Sequence, residues 1–118
     1  MSVTAKTLVP SQAAPPTPAA VYTVPQNIRT IIDKFTATNT TGGALTISIY
    51  LVPGVITNAP AQSLLPVASN QIIDAFSIAA NTAKDFTELQ NQILMSGDGI
   101  FVAAGPGVTI RGSGREVQ

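Results

Sequence analysis

Residues 45 to 51 alternate in character with a period of two, Leu45, Ile47, Ile49 and Leu51 against Thr46, Ser48 and Tyr50. A helix would spread those four apolar side chains around its axis, so the run reads as a strand with one buried face and one outward face. The outward face carries hydroxyls and no charge. A strand buried on one side needs a second layer to cover it, and the rest of the chain offers more strands in place of long helices.

AVYTV (20–24) is a short strand stopped by Pro25, and IRTIIDKFTATNT (28–40) is a longer one. In the latter, strict alternation puts Ile31, Phe35 and Ala37 on one face with Asp33, and Ile32, Lys34, Thr36 and Thr38 on the other. Thr40-Thr41-Gly42-Gly43 supplies glycines for a reversal with positive φ, so residues 28–52 read as a hairpin. Pro60 and Pro66 mark residues 55–70 as a long crossing loop. QIIDAFSI (71–78) aligns Ile72, Phe76 and Ile78, with Asp74 the exception. Residues 87–94 fit a helical turn or a strand. Ser96-Gly97-Asp98-Gly99 is a tight turn before IFVAA (100–104), and Gly105-Pro106-Gly107 leads into VTIRG and a glycine-bearing tail. About seven or eight short strands, with turns every ~8–12 residues, define an all-β fold: an antiparallel sandwich of jelly-roll type over residues 19–118.

Ahead of it lies a stretch, residues 1–18, with four of the nine prolines: Pro10, Pro15, Pro16 and Pro18. Proline lacks the amide donor and pushes its predecessor toward extended conformations, so this stretch is expected to be an extended arm that stays out of the sheets. Holding ~18 residues in place costs about 1 kcal/mol or more each in backbone entropy, which a neighbouring subunit would offset. Leu8, Val9, Pro10, Pro15, Pro16 and Pro18 are the expected docking side chains. Arg111 and Arg115, near the other terminus, are expected to meet a neighbour's carboxylates or water.

Charge narrows the function. Lys, Arg, Asp and Glu make up 10% of the chain, against ~25% in ordinary soluble domains. Six basic and six acidic residues cancel to a formal net charge of zero. With no positive field to neutralise phosphates or hold an anionic bilayer, neither nucleic acid nor membrane is an expected partner. A small domain with so few charges is poorly protected against association, and copies of itself are expected partners.

The sequence has no histidine and no cysteine, which removes the commonest general base, the thiolate nucleophile and the soft metal ligands. Asp85 and Glu88 are the nearest pair of carboxylates, with few aromatic residues to build a substrate groove around them. SGDG has one carboxylate where a calcium loop needs several oxygen ligands, and GPGVTIRGSG lacks the GK[ST] ending of a phosphate-binding loop. No enzyme, metal or cofactor is expected. Asn39-Thr40-Thr41 matches a glycosylation sequon, but the N-terminus has no apolar secretory core, so the match is read as chance. Asp33 and Asp74 interrupt apolar faces. Each is expected at a strand end, in solvent, or held by a cation such as Arg29 or Lys84.

VYTVPQNIRTIIDKFTATNTTGGALTISIYLVPG resembles a pattern in small virion proteins of tailed bacteriophages. There a short strand ending in YTVP precedes a strand ending in NTT, a small-residue turn, and an alternating strand ending near VP. NQILMSGDGIFVAA is similar to the second half of that pattern, and the likeness runs over roughly residues 20 to 112. It implies a β-sandwich serving as a capsid decoration or cement protein, or as a collar, tail or baseplate component, in contact with the major capsid or another virion protein. The implied location is the virion, after synthesis in the host cytoplasm. A module binding a receptor or carbohydrate through its loops is the alternative, which would expose Tyr22, Tyr50 or Phe101.

Overall fold

The computed structural model describes residues 2–53 and 71–118; the expected crossing loop of residues 55–70 lies outside them. The described residues form nine strands: β1 (Val3–Ala13), β2 (Ala19–Thr23), β3 (Arg29–Asn39), β4 (Leu45–Val52), β5 (Gln71–Ile78), β6 (Thr82–Asp85), β7 (Ile93–Leu94), β8 (Gly99–Ala104) and β9 (Val108–Val117). Sheet one runs in the order β1-β9-β3-β6, with the short β7 also on β3; sheet two runs β2-β8-β4-β5. All pairings are antiparallel. The sheets pack face to face as a sandwich around Ile32, Phe35, Ile47, Ile49, Phe86 and Ile100, all fully buried.

Residues 28–52 are not a hairpin. β3 lies in sheet one and β4 in sheet two, so the chain arches over the end of the sandwich at 40–44. Neither Gly42 nor Gly43 has positive φ. The arch is held by Asn39, fully buried. Its Nδ2 donates to the carbonyls of Gly43 (2.8 Å) and Ile78 (3.0 Å), while its Oδ1 accepts from the amide (2.9 Å) and hydroxyl (2.7 Å) of Thr41. One side chain at the end of sheet one thereby satisfies a carbonyl of sheet two and polar groups of the arch, which a hairpin turn would not require.

Neighbouring arches stack on this one. Thr40 donates its amide and hydroxyl to Gly107 O (3.1 and 3.0 Å), and Asn81 N donates to Thr41 O (3.2 Å). Gly107 has φ +106°, and a Cβ there would strike the Thr41 methyl, so the Gly-Pro-Gly turn needs its second glycine for conformation and for space. The tight turn before β8 likewise joins β7 in sheet one to β8 in sheet two. Asp98 closes it by accepting from Met95 N (2.9 Å), and Gly97 adopts φ +87°.

Two bulges correct the expected alternation. In β3 the register slips between Ile32 and Lys34, so Asp33 is the extra residue. Ile32 then faces inward along with Phe35 and Ala37, and Ile31 moves to the half-buried outer side. In β5, Ala75 has φ +48° and donates its amide to Ser48 Oγ (3.0 Å). Ile73 and Ile78 are buried, while Ile72 and Phe76 remain partly exposed. Residues 87–94 contain both elements that their pattern allows: a 3-10 turn at Thr87–Leu89, then β7.

Most of the expected arm is a strand. β1 pairs with β9 from Val3↔Val117 to Ala13↔Thr109 as the edge of sheet one. Pro10 is tolerated because it sits in an irregular stretch between the paired Val9 and Gln12 on an edge strand, where its missing donor breaks no ladder. The expectation that proline keeps the whole segment out of a sheet is therefore corrected. Only the turn between β1 and β2, Ala14 to Pro18, follows the proline signal.

Candidate interaction surface

The two outer faces of the sandwich differ in charge. Nine of the twelve charged side chains lie on strands of sheet one: Lys6, Arg29, Asp33, Lys34, Lys84, Asp85, Arg111, Arg115 and Glu116. Sheet two carries one, Asp74. Its outer face is built in rows across the strands. Ala20, Phe101, Tyr50 and Gln71 are successive register partners; Ser48 faces Ala103; Thr46 faces Ser77. The inward members of β8, Ile100, Val102 and Ala104, go to the core.

At one end of this face a groove of about 280 Å3 is lined by Pro16, Thr46, Ser48, Ala103, Gly105 and Pro106. Small side chains keep it shallow, and hydroxyls of β4 form its polar floor. The uncharged alternation of 45–51 thus ends up facing outward, among residues that are themselves uncharged. Burying this surface against another protein would desolvate hydroxyls and methyls, at far lower cost than burying charges.

Sheet one pairs six of its nine charged side chains within the chain. Arg115 grips Asp33 with Nε at 3.1 Å from both carboxylate oxygens and Nη2 at 2.9 Å from Oδ1. Lys34 lies 3.9 Å from Asp85, and Lys6 3.3 Å from Glu116. Asp33 is therefore exposed and held by Arg115, not by Arg29 or Lys84. Asp74 is exposed and accepts from Gln71 Nε2 (3.3 Å).

A polar clamp links the sheets at the end where the termini meet. The Tyr22 hydroxyl of sheet two donates to Glu116 Oε2 (2.8 Å) and lies 2.8 Å from the fully buried Thr30 Oγ1. Burial raises the Tyr22 phenol to about 12; the Thr30 hydrogen bond opposes this, and the hydrogen bond and charge of Glu116 add to it. The folded protein thus binds this proton more tightly than the unfolded chain, whose tyrosine titrates near 10. Its contribution to stability is complete below pH ~10 and falls as pH rises from ~10 to ~12. Urea titrations at stepped pH should show that decline in the wild type, with a smaller one in Tyr22→Phe.

The expected docking residues fare unevenly. Leu8 and Val9, 5% and 0% exposed, are packed into the core of the sandwich. Pro10, Pro16 and Pro18 are exposed and Pro15 is half-buried. Pro16 is the one that lines the sheet-two groove. Arg115 is paired within the chain, and Arg111 donates to Ser11 Oγ (3.3 Å). Asn39, Thr30 and Glu116 escaped the sequence reading. For Asn39 a signal existed: Asn-Thr-Thr also fits an Asx turn, in which Oδ1 binds the amide two residues on. Among the described residues no group of three or more carboxylates could hold a metal ion.

The arrangement defines an all-β sandwich with one sheet rich in charge and one with a single charged residue, Asp74. Comparison with protein-family models, with curated proteins and with solved structures found no match.

Proposed function

We propose that this chain is a non-enzymatic structural subunit of a virion, a capsid decoration or cement protein that stabilises the head by associating with copies of itself and with the major capsid or another virion protein. The observation that carries the reading is the charge partition, which leaves sheet two with Asp74, on its edge strand β5, as its one charged residue, so that the rest of its outer face can be covered without burying a charge. With β7 set aside, the orders β1-β9-β3-β6 and β2-β8-β4-β5 read as a jelly roll, an architecture used by viral capsid and lectin domains. Fold alone does not select between those uses. Two of the three aromatic anchors that a glycan-binding module would present are engaged, Tyr22 in the clamp and Phe101 at 8% exposure, which weighs against that alternative.

The mechanism is mass action: a subunit that binds the assembled shell and not its separated parts shifts the equilibrium toward the intact particle. Gradient-purified particles should contain the chain in stoichiometric amount by quantitative mass spectrometry. Its absence from the particle band would remove the reading.

Self-association through sheet two has its own test. Thr46→Lys places a charge in the groove at an exposed position, outside the core. Unfolding should be nearly unchanged, while sedimentation equilibrium should show self-association weakened by at least about tenfold, or about 1.4 kcal/mol. A lysine at Thr109, on exposed sheet one, should have little effect.

A further inference from the structure

Among the described residues β1 is the outermost strand of sheet one, and its ladder partner, β9, is paired on the other side with β3. Removing β1 would leave the remaining strands of both sheets in register. It would also open a slot. Gly114 and Gly112 carry no side chain where Leu8 and Val9 enter: a Cβ on Gly114 would lie 2.7 Å from Leu8 Cδ1, and one on Gly112 would lie 3.4 Å from Val9 Cγ2. The slot is shaped for these two side chains.

Much of the remaining grip also runs between β1 and β9. Lys6 pairs with Glu116, Arg111 donates to Ser11, and Ser2 and Gln118 exchange backbone hydrogen bonds of 3.3 and 2.9 Å. The last anchors before the hinge are Ala14 N to Val108 O (2.8 Å) and Ala104 N to Pro15 O (2.9 Å). Only Pro16-Thr17-Pro18 then separates these anchors from β2. The chain bends at Pro16 and Thr17 to reach the other sheet, although a residue preceding proline, as Pro15 and Thr17 each are, favours an extended backbone.

The contacts that β1 makes with β9 and with the core would form equally well in another copy, so exchanging the strand alters little besides its contacts with β2 and the hinge, where extension suits the proline pattern better than a bend. We infer that, in the self-associating state proposed above, neighbouring copies exchange β1: residues 3–15 of one copy occupy the β9 edge and the Gly112–Gly114 slot of the next. This inference rests on that self-association. In dilute solution the closed chain holds its own strand. In an assembly, the high effective concentration of neighbouring slots favours the open form. The segment is then an arm after all, delivered to a copy of its own fold.

The sequence has no cysteine, so an introduced pair reports cleanly. Thr7 and Ser113 are register partners, and opposed strand positions lie within the Cα range a disulfide spans. Thr7→Cys with Ser113→Cys, oxidised while dilute, should run as a monomer on a non-reducing gel. Oxidised after concentration into oligomers, most of the chain should run as reducible covalent dimers or ladders. Val3→Cys with Val117→Cys, also register partners, repeats the measurement should the first pair perturb folding. Monomer bands alone from oligomers would overturn the exchange while leaving the proposed function intact. A wild type that stays monomeric at every concentration would overturn the exchange as well, and the particle analysis would decide the function separately.

Discussion

Replacing Asn39 by leucine is expected to lower the unfolding free energy by about 3–5 kcal/mol, although leucine has a similar size and is apolar in a buried position. Leucine would fill the space but abandon the carbonyl of Ile78 and the amide and hydroxyl of Thr41, which the Asn39 amide now satisfies, while Gly43 O keeps the Thr41 hydroxyl at 3.0 Å. Each buried group left without a partner costs about 1–3 kcal/mol. For a chain of this size the loss corresponds to a fall in Tm of roughly 10–20 °C, measurable by circular dichroism or calorimetry. Aspartate is an informative companion. It keeps the acceptor for Thr41 but turns a carboxylate toward two carbonyl oxygens, so this variant should gain stability relative to wild type as pH falls and the carboxyl is protonated. A leucine variant as stable as the wild type would show that the arch is held by chain connectivity and not by this side chain.

Gly114→Ala should be similarly damaging. The added methyl would run into the Ile31 carbonyl oxygen as well as Leu8 Cδ1. Because one obstacle is backbone of the adjacent strand, β3 and β9 must separate locally, at a cost of about 3 kcal/mol or more. Trimming the other obstacle by adding Leu8→Ala should therefore fail to restore stability, and denaturant titration of the double variant would show this. Gly112→Ala meets only side chains, the nearest Phe35 Cδ2 at 3.0 Å, and should cost less. Full rescue of Gly114→Ala by Leu8→Ala would mean that the strand ladder yields more easily than its register implies.

The strength of the Gly114 effect bears on why the N-terminal segment was read as an arm. Its prolines are visible in the sequence, and their local consequences are real at Ala14–Pro18. The slot that accepts Leu8 and Val9 is made by glycines about a hundred residues away, opposite β1 in the ladder. Those glycines read as parts of a tail, because nothing near them in sequence shows which strand will lie alongside.

Asp33 and Asp74 illustrate a second limit. Each breaks an alternating pattern, and the break is legible. The residue is the mark of a bulge at Asp33 and sits beside an irregular turn of strand at Ala75, which shifts the neighbouring apolar residues to the other face. Counting by twos through such a residue assigns Ile31 and Ile32, or Ile72 and Ile73, to the wrong sides. The surface anomaly was likewise visible as a composition with few charges, while its location was not. β4 gave the uncharged face directly; that β8, β2 and β5 would extend it, and that the charges would gather on sheet one, depended on pairing.

By itself the sequence determined the β character of the chain, its run of short strands, the hydroxyl face of β4 and the lack of histidine and cysteine chemistry. These follow from side-chain period and residue type, which act over a few bonds. Only the tertiary structure decided that nearly every turn crosses between sheets, that β1 belongs to the sandwich, and that the charges lie on one side. Strand partners are chosen by contacts between residues far apart in the chain, and the free energy of such contacts leaves no mark on either segment alone.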